Sequence, residues 1–340
     1  MTATLPDVWA TPDAINLLPY DAPREEWLQV RTGGIGGSDA STIAGVNKYA
    51  TLYELWLDKT GRLPEKEVTA AMRWGNLLEA ALLQAFTEDT GIETRRAGLM
   101  QSVTRPWQRV SLDALAGDGG IVECKTASWR VSEEWDDDQT ADHAEVQIQH
   151  ALAVTGRSHG WAVVLIDGRD FRFRRVERDE ALIATLIEME ERFWFEHVLG
   201  DVQPDLDHRD LDTVKAQYRL ATTDAVLEAD DPTLVATMTA ALRDAKAEVK
   251  RAEQARDVLD AQLRNILGDR EVLNVDGKPV FTAKQNGTFA AARFTAAHPD
   301  LAASLMTKPS LDLDRIKAEH PDLYQAHRAR VARLVTTKEK

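Results

Sequence analysis

Apolar positions recur every three to four residues from about Val68 to Thr90, which predicts a long helix closed by Gly91. Shorter helical segments precede it. Asp21-Ala-Pro-Arg-Glu-Glu-Trp opens one, with Asp21 as its cap and Gly33-Gly34 as its stop; Ser38 starts a second, and Thr51 caps Leu52 to Lys59. The residues before them read as a loose, proline-bearing N-terminus. The period then shortens. Segments near Ile92 to Ser102, Gln108 to Ala114, Ile121 to Thr126, Gly160 to Ile166 and Phe171 to Val176 read as strands separated by turn signals. Helices interrupt them at Ala141 to Thr155 and Asp179 to Leu199, so residues 1–205 read as an α/β domain with a mixed sheet. Residues 206–340 read as a mainly helical appendage. One amphipathic helix runs from Asp230 to Leu267, Glu271 to Lys284 form a hairpin turning at Asp276-Gly277, and His298-Pro-Asp-Leu301 recurs as His320-Pro-Asp-Leu323 behind helical segments near Phe294 to Met306 and Leu313 to Val331. The apolar stripe from Met238 to Leu263 needs a partner surface, for which those last helices, or another protein, are the candidates.

Composition narrows the classes. With 44% hydrophobic and 29% charged residues the chain is an ordinary globular one, and no apolar run approaches a bilayer span. A single cysteine, Cys124, excludes an internal disulfide and cysteine-rich metal sites and fits a reducing cytoplasm. The net charge of −15 argues against sequence-blind coating of nucleic acid, yet leaves room for a local basic site. Thr94 to Leu112 holds Arg95, Arg96, Arg105 and Arg109 with no acid, and Arg169 to Arg178 holds five arginines against Asp170 and Glu177.

The chemistry concentrates in one place. Ser111-Leu-Asp113 ends one predicted strand, Gly117-Asp-Gly-Gly120 turns the chain, and Ile121-Val-Glu123-Cys-Lys125-Thr forms the next. Strand alternation puts Glu123 and Lys125 on one face, and antiparallel pairing brings Asp113 beside them. Paired carboxylates suit Mg²⁺ or Mn²⁺, hard cations that keep waters for a phosphate to join, while an ammonium can orient the attacking water. A cross-strand salt bridge on an exposed face is the plain alternative. Gln147 and Gln149 follow on the next helix and could hold the lysine or the water, and Glu79 sits among leucines, where a carboxylate needs a partner or a site. Arg73 is a candidate partner.

Trp27-Leu-Gln-Val-Arg31-Thr-Gly-Gly-Ile-Gly-Gly-Ser38-Asp39-Ala40, Trp74-Gly-Asn-Leu-Leu-Glu79, Ser111-Leu-Asp113, Glu123-Cys-Lys125 and Gln147-Ile-Gln149, in that order, resemble the lambda-exonuclease or YqaJ-like viral recombinase family over roughly residues 22–200. The resemblance implies a restriction-endonuclease-like PD-(D/E)xK core, and digestion of linear duplex DNA from the 5′ end with Mg²⁺, leaving a 3′ single strand for phage-type recombination. It implies metal binding by Asp113 and Glu123, action of Lys125 on the water, support from Gln149 and an accessory role for Glu79. It also implies a 5′-phosphate held by Arg31, Ser38 and Ser111, with Arg130 as an approximate further match and Gln147 nearby. A homotrimer around DNA and a single-strand annealing protein are the implied partners, in a bacterial or phage-infected cell. Independently, a serine opening a helix after a glycine loop is a natural phosphate receptor. An endonuclease or single-strand nuclease on the same fold, or a non-enzymatic protein binding DNA ends, are the rival readings.

Overall fold

The computed structural model describes residues 7–63, 69–136, 139–220 and 225–284, together with 296–297, 299–300, 318–319 and 321. The chain divides into two units, Met1–Tyr218 and Arg219–Lys340. The division falls after Tyr218 rather than at 205, because the segment just before it is bonded into the first unit: Asp210 accepts from Thr51, Thr213 donates to Glu54 at 2.5 Å, and Tyr53 donates to Gln217 at 2.6 Å.

In the first unit the order is β1 (Ala14–Leu18), α1 (Arg24–Arg31), α2 (Gly37–Ile43), α3 (Leu52–Lys59), α4 (Ala70–Thr90), β2 (Thr94–Arg95), β3 (Leu99–Ser102), β4 (Arg109–Ser111), β5 (Ala114–Ala116), β6 (Ile121–Ala127), α5 (Asp142–Thr155), β7 (His159–Ile166), β8 (Asp170–Glu177), α6 (Glu180–Arg192) and α7 (Leu211–Gln217). The main sheet has the order β2-β5-β6-β7-β8 and a second one the order β1-β3-β4. Only β6 and β7 run parallel, joined by α5 as a crossover; the other pairs are antiparallel, so the sheet is mixed as expected. Apolar residues of α5, Ile148, Ala151 and Leu152, pack on Ile121, Ala162 and Val164, while Leu82, Leu83 and Phe86 of α4 pack with Val122 and Val163. Helices thus cover the sheet with apolar side chains from both sets of alternating positions, the architecture in which central strands read as near-continuous hydrophobic runs.

Several elements depart from the sequence expectations. β1 was not foreseen; it pairs with β3 through Ala14↔Ser102 to Leu18↔Leu99. The single strand expected over Ile92 to Ser102 is two strands in different sheets, because the chain passes so close to β1 at Gly98 that a Cβ there would lie 1.8 Å from the Leu18 carbonyl oxygen. Asp21 does not cap α1, whose first turn follows Pro23 without a side-chain cap. Nor does Ser38 cap α2. Gly36 holds that position, and the Asp39 carboxylate accepts from its N–H at 2.8 Å. The Gly33-Gly34 stretch packs closely on the chain before β4, since a Cβ on Gly34 would stand 2.7 Å from the Trp107 carbonyl oxygen. Asp179, by contrast, caps α6, accepting from the Ala181 and Leu182 N–H groups.

A buried polar cluster ties the helices to β4. His150 on α5 has Nδ1 2.8 Å from Glu190 of α6 and Nε2 2.8 Å from the Arg109 carbonyl, and Gln108 donates to Glu190 at 2.6 Å. Burial pulls the His150 pKa down, but the Glu190 charge outweighs it and the net direction is upward.

In the second unit, α8 (Pro232–Leu267) begins with Asp231 accepting from Leu234 N–H and Pro232 in its first turn. It is followed by the hairpin β9 (Val272–Val275) and β10 (Lys278–Thr282). Asp276 and Gly277 both have positive φ, 49° and 74°, the geometry of the tight turn that an Asp-Gly pair favours. Met238, Leu242, Val249, Leu259 and Leu263 are exposed along α8. The helical segments expected near 294–306 and 313–331, and the histidines of the short repeat, lie outside the described residues. Among the described residues no helix is long and apolar enough to cross a membrane.

Candidate active site

The hairpin of β5 and β6 pairs Ala114 with Val122, so Asp113 falls opposite Glu123. Its Oδ2 accepts from the Cys124 N–H at 2.6 Å. Two residues along β6, the Lys125 ammonium lies 2.5 Å from Glu123 Oε1, which is the same-face relation that strand alternation requires. The lysine donates a second hydrogen bond to Gln147 Oε1 at 2.6 Å, across from α5. An ammonium has three N–H groups, so one remains for a water or an oxyanion in front of the pair.

Glu79 reaches the same place from α4. It does not pair with Arg73; its carboxylate lies 2.9 Å from Arg96, just past β2. Glu79, Asp113, Glu123 and Lys125 line one cleft of about 710 Å³ with Arg24, Trp27, Arg73 and Asn76. Three carboxylates in one cleft perturb each other. Burial, then the charges of Glu123 and Glu79, drive the Asp113 carboxyl well above the usual carboxylate range. Burial and Glu123 also push Glu79 up, against the opposing pull of Arg96. Lys125 moves the other way: burial favours its neutral form, but Glu123 and Asp113 outweigh that and the group is held as an ammonium.

These donors suit a hard divalent cation. Asp113 and Glu123 offer carboxylate oxygens, burial and the charges of Glu123 and Glu79 that raise Asp113 are what a dication would offset, and one or two carboxylates suffice for an ion that keeps most of its waters. Among the described residues no three His, Cys, Asp or Glu side chains stand together as a ready-made cage.

A second cavity of about 230 Å³ adjoins the first, sharing Trp27, Glu123 and Lys125, and is lined also by Arg31, Gly36, Gly37, Ser38, Arg109, Ser111 and Gln147. The family resemblance implied that Arg31, Ser38 and Ser111 act together, and all three line this cavity. Arg31 is oriented by two carboxylates, Asp39 at 2.9 Å and Asp58 at 3.1 Å. Asp39 is itself shared with Lys59 at 2.5 Å. Burial would raise the Asp39 pKa, yet Lys59 and Arg31 together bring it below its ordinary value; the Lys59 ammonium is driven down, mainly by burial. Ser111 accepts from the Trp27 indole N–H at 2.9 Å.

Two assignments are corrected. Gln149 does not reach the lysine. It is buried on the other side of α5, donating to the Glu177 carbonyl at 2.7 Å and accepting from the Asp179 N–H at 3.0 Å, while Gln147 takes the lysine. Residues two apart on a helix point about 200° apart, so only one of the pair can face the cleft. Arg130 lines neither cavity: past the end of β6 the chain turns away, with Trp129 N–H bonded to Asp167 at 3.0 Å and Arg130 lying 6.0 Å from the Trp129 ring centroid. Arg24 and Asn76 were missed, although the Trp74-Gly-Asn motif already pointed to their neighbourhood, and Arg73 lines the cleft without pairing with Glu79.

With this geometry in view, comparisons with known proteins are informative. Residues 26–158 match the profile of the YqaJ-like viral recombinase domain. The uncharacterized protein YqaJ of Bacillus subtilis (strain 168) is 39% identical over 189 residues, covering 54% of this chain and 59% of that protein. The chain thus spans less than two thirds of that relative. Among solved structures, the alkaline exonuclease LHK-Exo of Laribacter hongkongensis is 26% identical with a TM-score of 0.44, covering 52% of this chain and 93% of the other. Its complex with dAMP gives 25% identity and a TM-score of 0.45, covering 56% and 98%. The matched span contains Arg31, Ser38, Glu79, Ser111, Asp113, Glu123, Lys125 and Gln147, which the two cavities bring together.

Proposed function

We propose that the YqaJ-like domain is a Mg²⁺-dependent exonuclease of the PD-(D/E)xK type, hydrolysing linear duplex DNA from its 5′ ends and leaving 3′ single strands for recombination. The observation that carries this reading is the convergence of Asp113, Glu123, Lys125 and Gln147 beside a cavity walled by Arg31, Ser38 and Ser111. Asp113 and Glu123 hold the metal, for which Mn²⁺ is a substitute. When bound, the metal supplies charge neutralisation at the scissile phosphate and an acidified water. The protein supplies the geometry. Lys125, kept cationic, orients the water or the developing oxyanion with its remaining N–H, and Gln147 fixes the direction of the ammonium. Arg31 has donors beyond the two that meet Asp39 and Asp58, and with Ser38 and Ser111 it receives the terminal phosphate, setting the scissile bond one step inward. Assembly as a homotrimer around DNA and co-operation with a single-strand annealing protein belong to the same reading.

The test is to incubate linear duplex and covalently closed circular DNA with Mg²⁺ or with chelator. Loss of the linear form alone, and only with metal, is expected; cutting of the closed circle would make the protein an endonuclease.

Two further results are expected. Arg31→Ala slows digestion of 5′-phosphorylated ends by about 10- to 150-fold, the equivalent of roughly 1.5–3 kcal/mol for a charge-assisted bond, and leaves 5′-hydroxyl ends nearly unchanged. Equal slowing of both in strand-resolved kinetics would make Arg31 structural. The two glutamines separate cleanly: Gln147→Ala lowers kcat with little change in melting temperature, whereas Gln149→Ala costs about 1–3 kcal/mol of stability by stranding the Asp179 N–H and leaves the rate per folded molecule intact. Melting curves and initial rates on the two variants check this.

A further inference from the structure

The two arginine-rich stretches differ in what the fold leaves available. In the stretch from Arg169 to Arg178, Arg172 is paired with Asp170 and Asp136, Arg175 with Glu177 and Arg178 with Glu180. In the acid-free stretch from Thr94 to Leu112, Arg105 turns inward to Gln108 and the Ala153 carbonyl, and Arg109 lies under the glycine loop, bonded to the Val30 carbonyl. Arg174 donates to the Phe173 carbonyl and Arg169 is exposed; what sets Arg95 and Arg96 apart is that both line one surface groove, Arg96 with its guanidinium also meeting Glu79. The Arg95 side chain forms no hydrogen bond or ion pair among the described residues; its guanidinium stands 5.9 Å from the Trp9 ring centroid. Arg96 stands 5.9 Å from the ring of Tyr20, which is 62% exposed.

These four side chains line one groove of about 540 Å³, together with Asn16, and no acidic residue lines it although the chain carries a net charge of −15. Its floor is fixed. The approach of Gly98 to the Leu18 carbonyl locks the strand end that carries Tyr20 against the segment that carries Arg96, so the aromatic and the cation are held side by side by the backbone. The groove lies beside the active-site cleft, since Arg96 lines the groove while its guanidinium meets Glu79, which lines the cleft, at 2.9 Å.

We infer that this groove, built by Trp9, Tyr20, Arg95 and Arg96, is a binding track for single-stranded DNA running alongside the active-site cleft. Aromatic faces accept unpaired bases of any sequence, and guanidinium groups track the phosphates, which is the combination that single-strand grooves use. A paired duplex would keep its base faces stacked and offer the aromatics nothing. The inference rests on the nuclease reading for its biological sense, but its test does not depend on catalysis.

Binding of a short fluorescein-labelled oligo-dT to the full chain in chelator is followed by anisotropy across a salt series. Tyr20→Ala is expected to weaken binding by at least about fivefold, one base stack being worth roughly 1–3 kcal/mol. Arg95→Ala is expected to reduce the slope of log K against log salt by about 0.7, one phosphate contact on a single strand. Neither residue touches the carboxylates of the cleft, so hydrolysis of thymidine 5′-monophosphate p-nitrophenyl ester, too short to reach the groove, stays at the wild-type rate in both. Wild-type affinity and slope in both variants would overturn the inference while leaving the nuclease reading intact; failure of the unaltered protein to hydrolyse any substrate, with the binding losses present, would do the reverse. The strand involved is identified with 2-aminopurine placed either near the 5′ end of the digested strand or in a 3′ overhang of its complement. The probe whose fluorescence changes with Tyr20→Ala marks the occupant, and no change in either position would count against the track.

Discussion

Lys125→Ala lowers the hydrolysis rate by about 10² to 10⁴, the range found for a positioned proton-handling or charge-stabilising group. The size follows from how firmly the lysine is placed. Glu123 and Gln147 hold two of its three N–H groups at 2.5 and 2.6 Å, so the third is directed without entropic cost at the moment of reaction. The carboxylates around it keep it cationic through neutral pH, which makes it an electrostatic and orienting group and not a base that must first lose a proton. Lys125→Arg, which keeps charge but not the compact three-donor geometry, restores little. Fold is unaffected in the circular dichroism spectrum. A Lys125→Ala variant that digests linear duplex at near-normal rates would remove the lysine from the site.

Asp113→Asn separates activity from stability. The substitution removes a metal-binding charge and abolishes measurable hydrolysis, yet it raises the melting temperature of the metal-free protein by a few degrees. The reason is the crowding in the cleft: burial first, then Glu123 and Glu79, hold the native Asp113 carboxyl well above its ordinary range. Between the unfolded and the native value the folded state binds more protons than the unfolded one, so stability is greatest at low pH and falls as pH rises through that window. In chelator the unaltered protein therefore loses stability as pH rises above the ordinary carboxylate range, and Asp113→Asn flattens that slope. Mg²⁺ opposes the same loss, since it stabilises the ionised cluster in proportion to its binding. The amide can still accept from the Cys124 N–H, so the hairpin keeps its bond. Calorimetric scans from pH 5 to 8, with and without Mg²⁺, measure all three effects; a destabilised Asp113→Asn variant would show that the cleft is not charge-strained.

Much of the site was legible because its geometry is local. The hairpin over Gly117 to Gly120 and the period of two along β6 are enough to bring Asp113, Glu123 and Lys125 together, whatever surrounds them. What failed depends on phase and on long-range approach. Whether Gln147 or Gln149 faces the cleft is decided by the rotation of α5 on the sheet, which neither residue's neighbours encode. The break between β2 and β3 comes from the close passage of Gly98 beside β1, a strand whose short, edge-like segment carries no strict alternation. Ser38 looked like a cap because serine is a good one, but Gly36 precedes it and Asp39 answers the free N–H, leaving the serine hydroxyl at the cavity wall. Arg31 was found by motif; its two carboxylate partners were not, since Asp58 is 27 positions away on α3.

The most direct measurement of the central claim uses a linear duplex with 5′-phosphates, labelled at the 5′ end of one strand and, in a separate preparation, at the 3′ end of the same strand, with the unaltered protein and Lys125→Ala. The account predicts that in Mg²⁺ the 5′ label is released at once as mononucleotide, that the 3′ label persists on a steadily shortening strand, and that chelator or Lys125→Ala stops both. Release of the 3′ label first, or label release that continues in chelator, would contradict it.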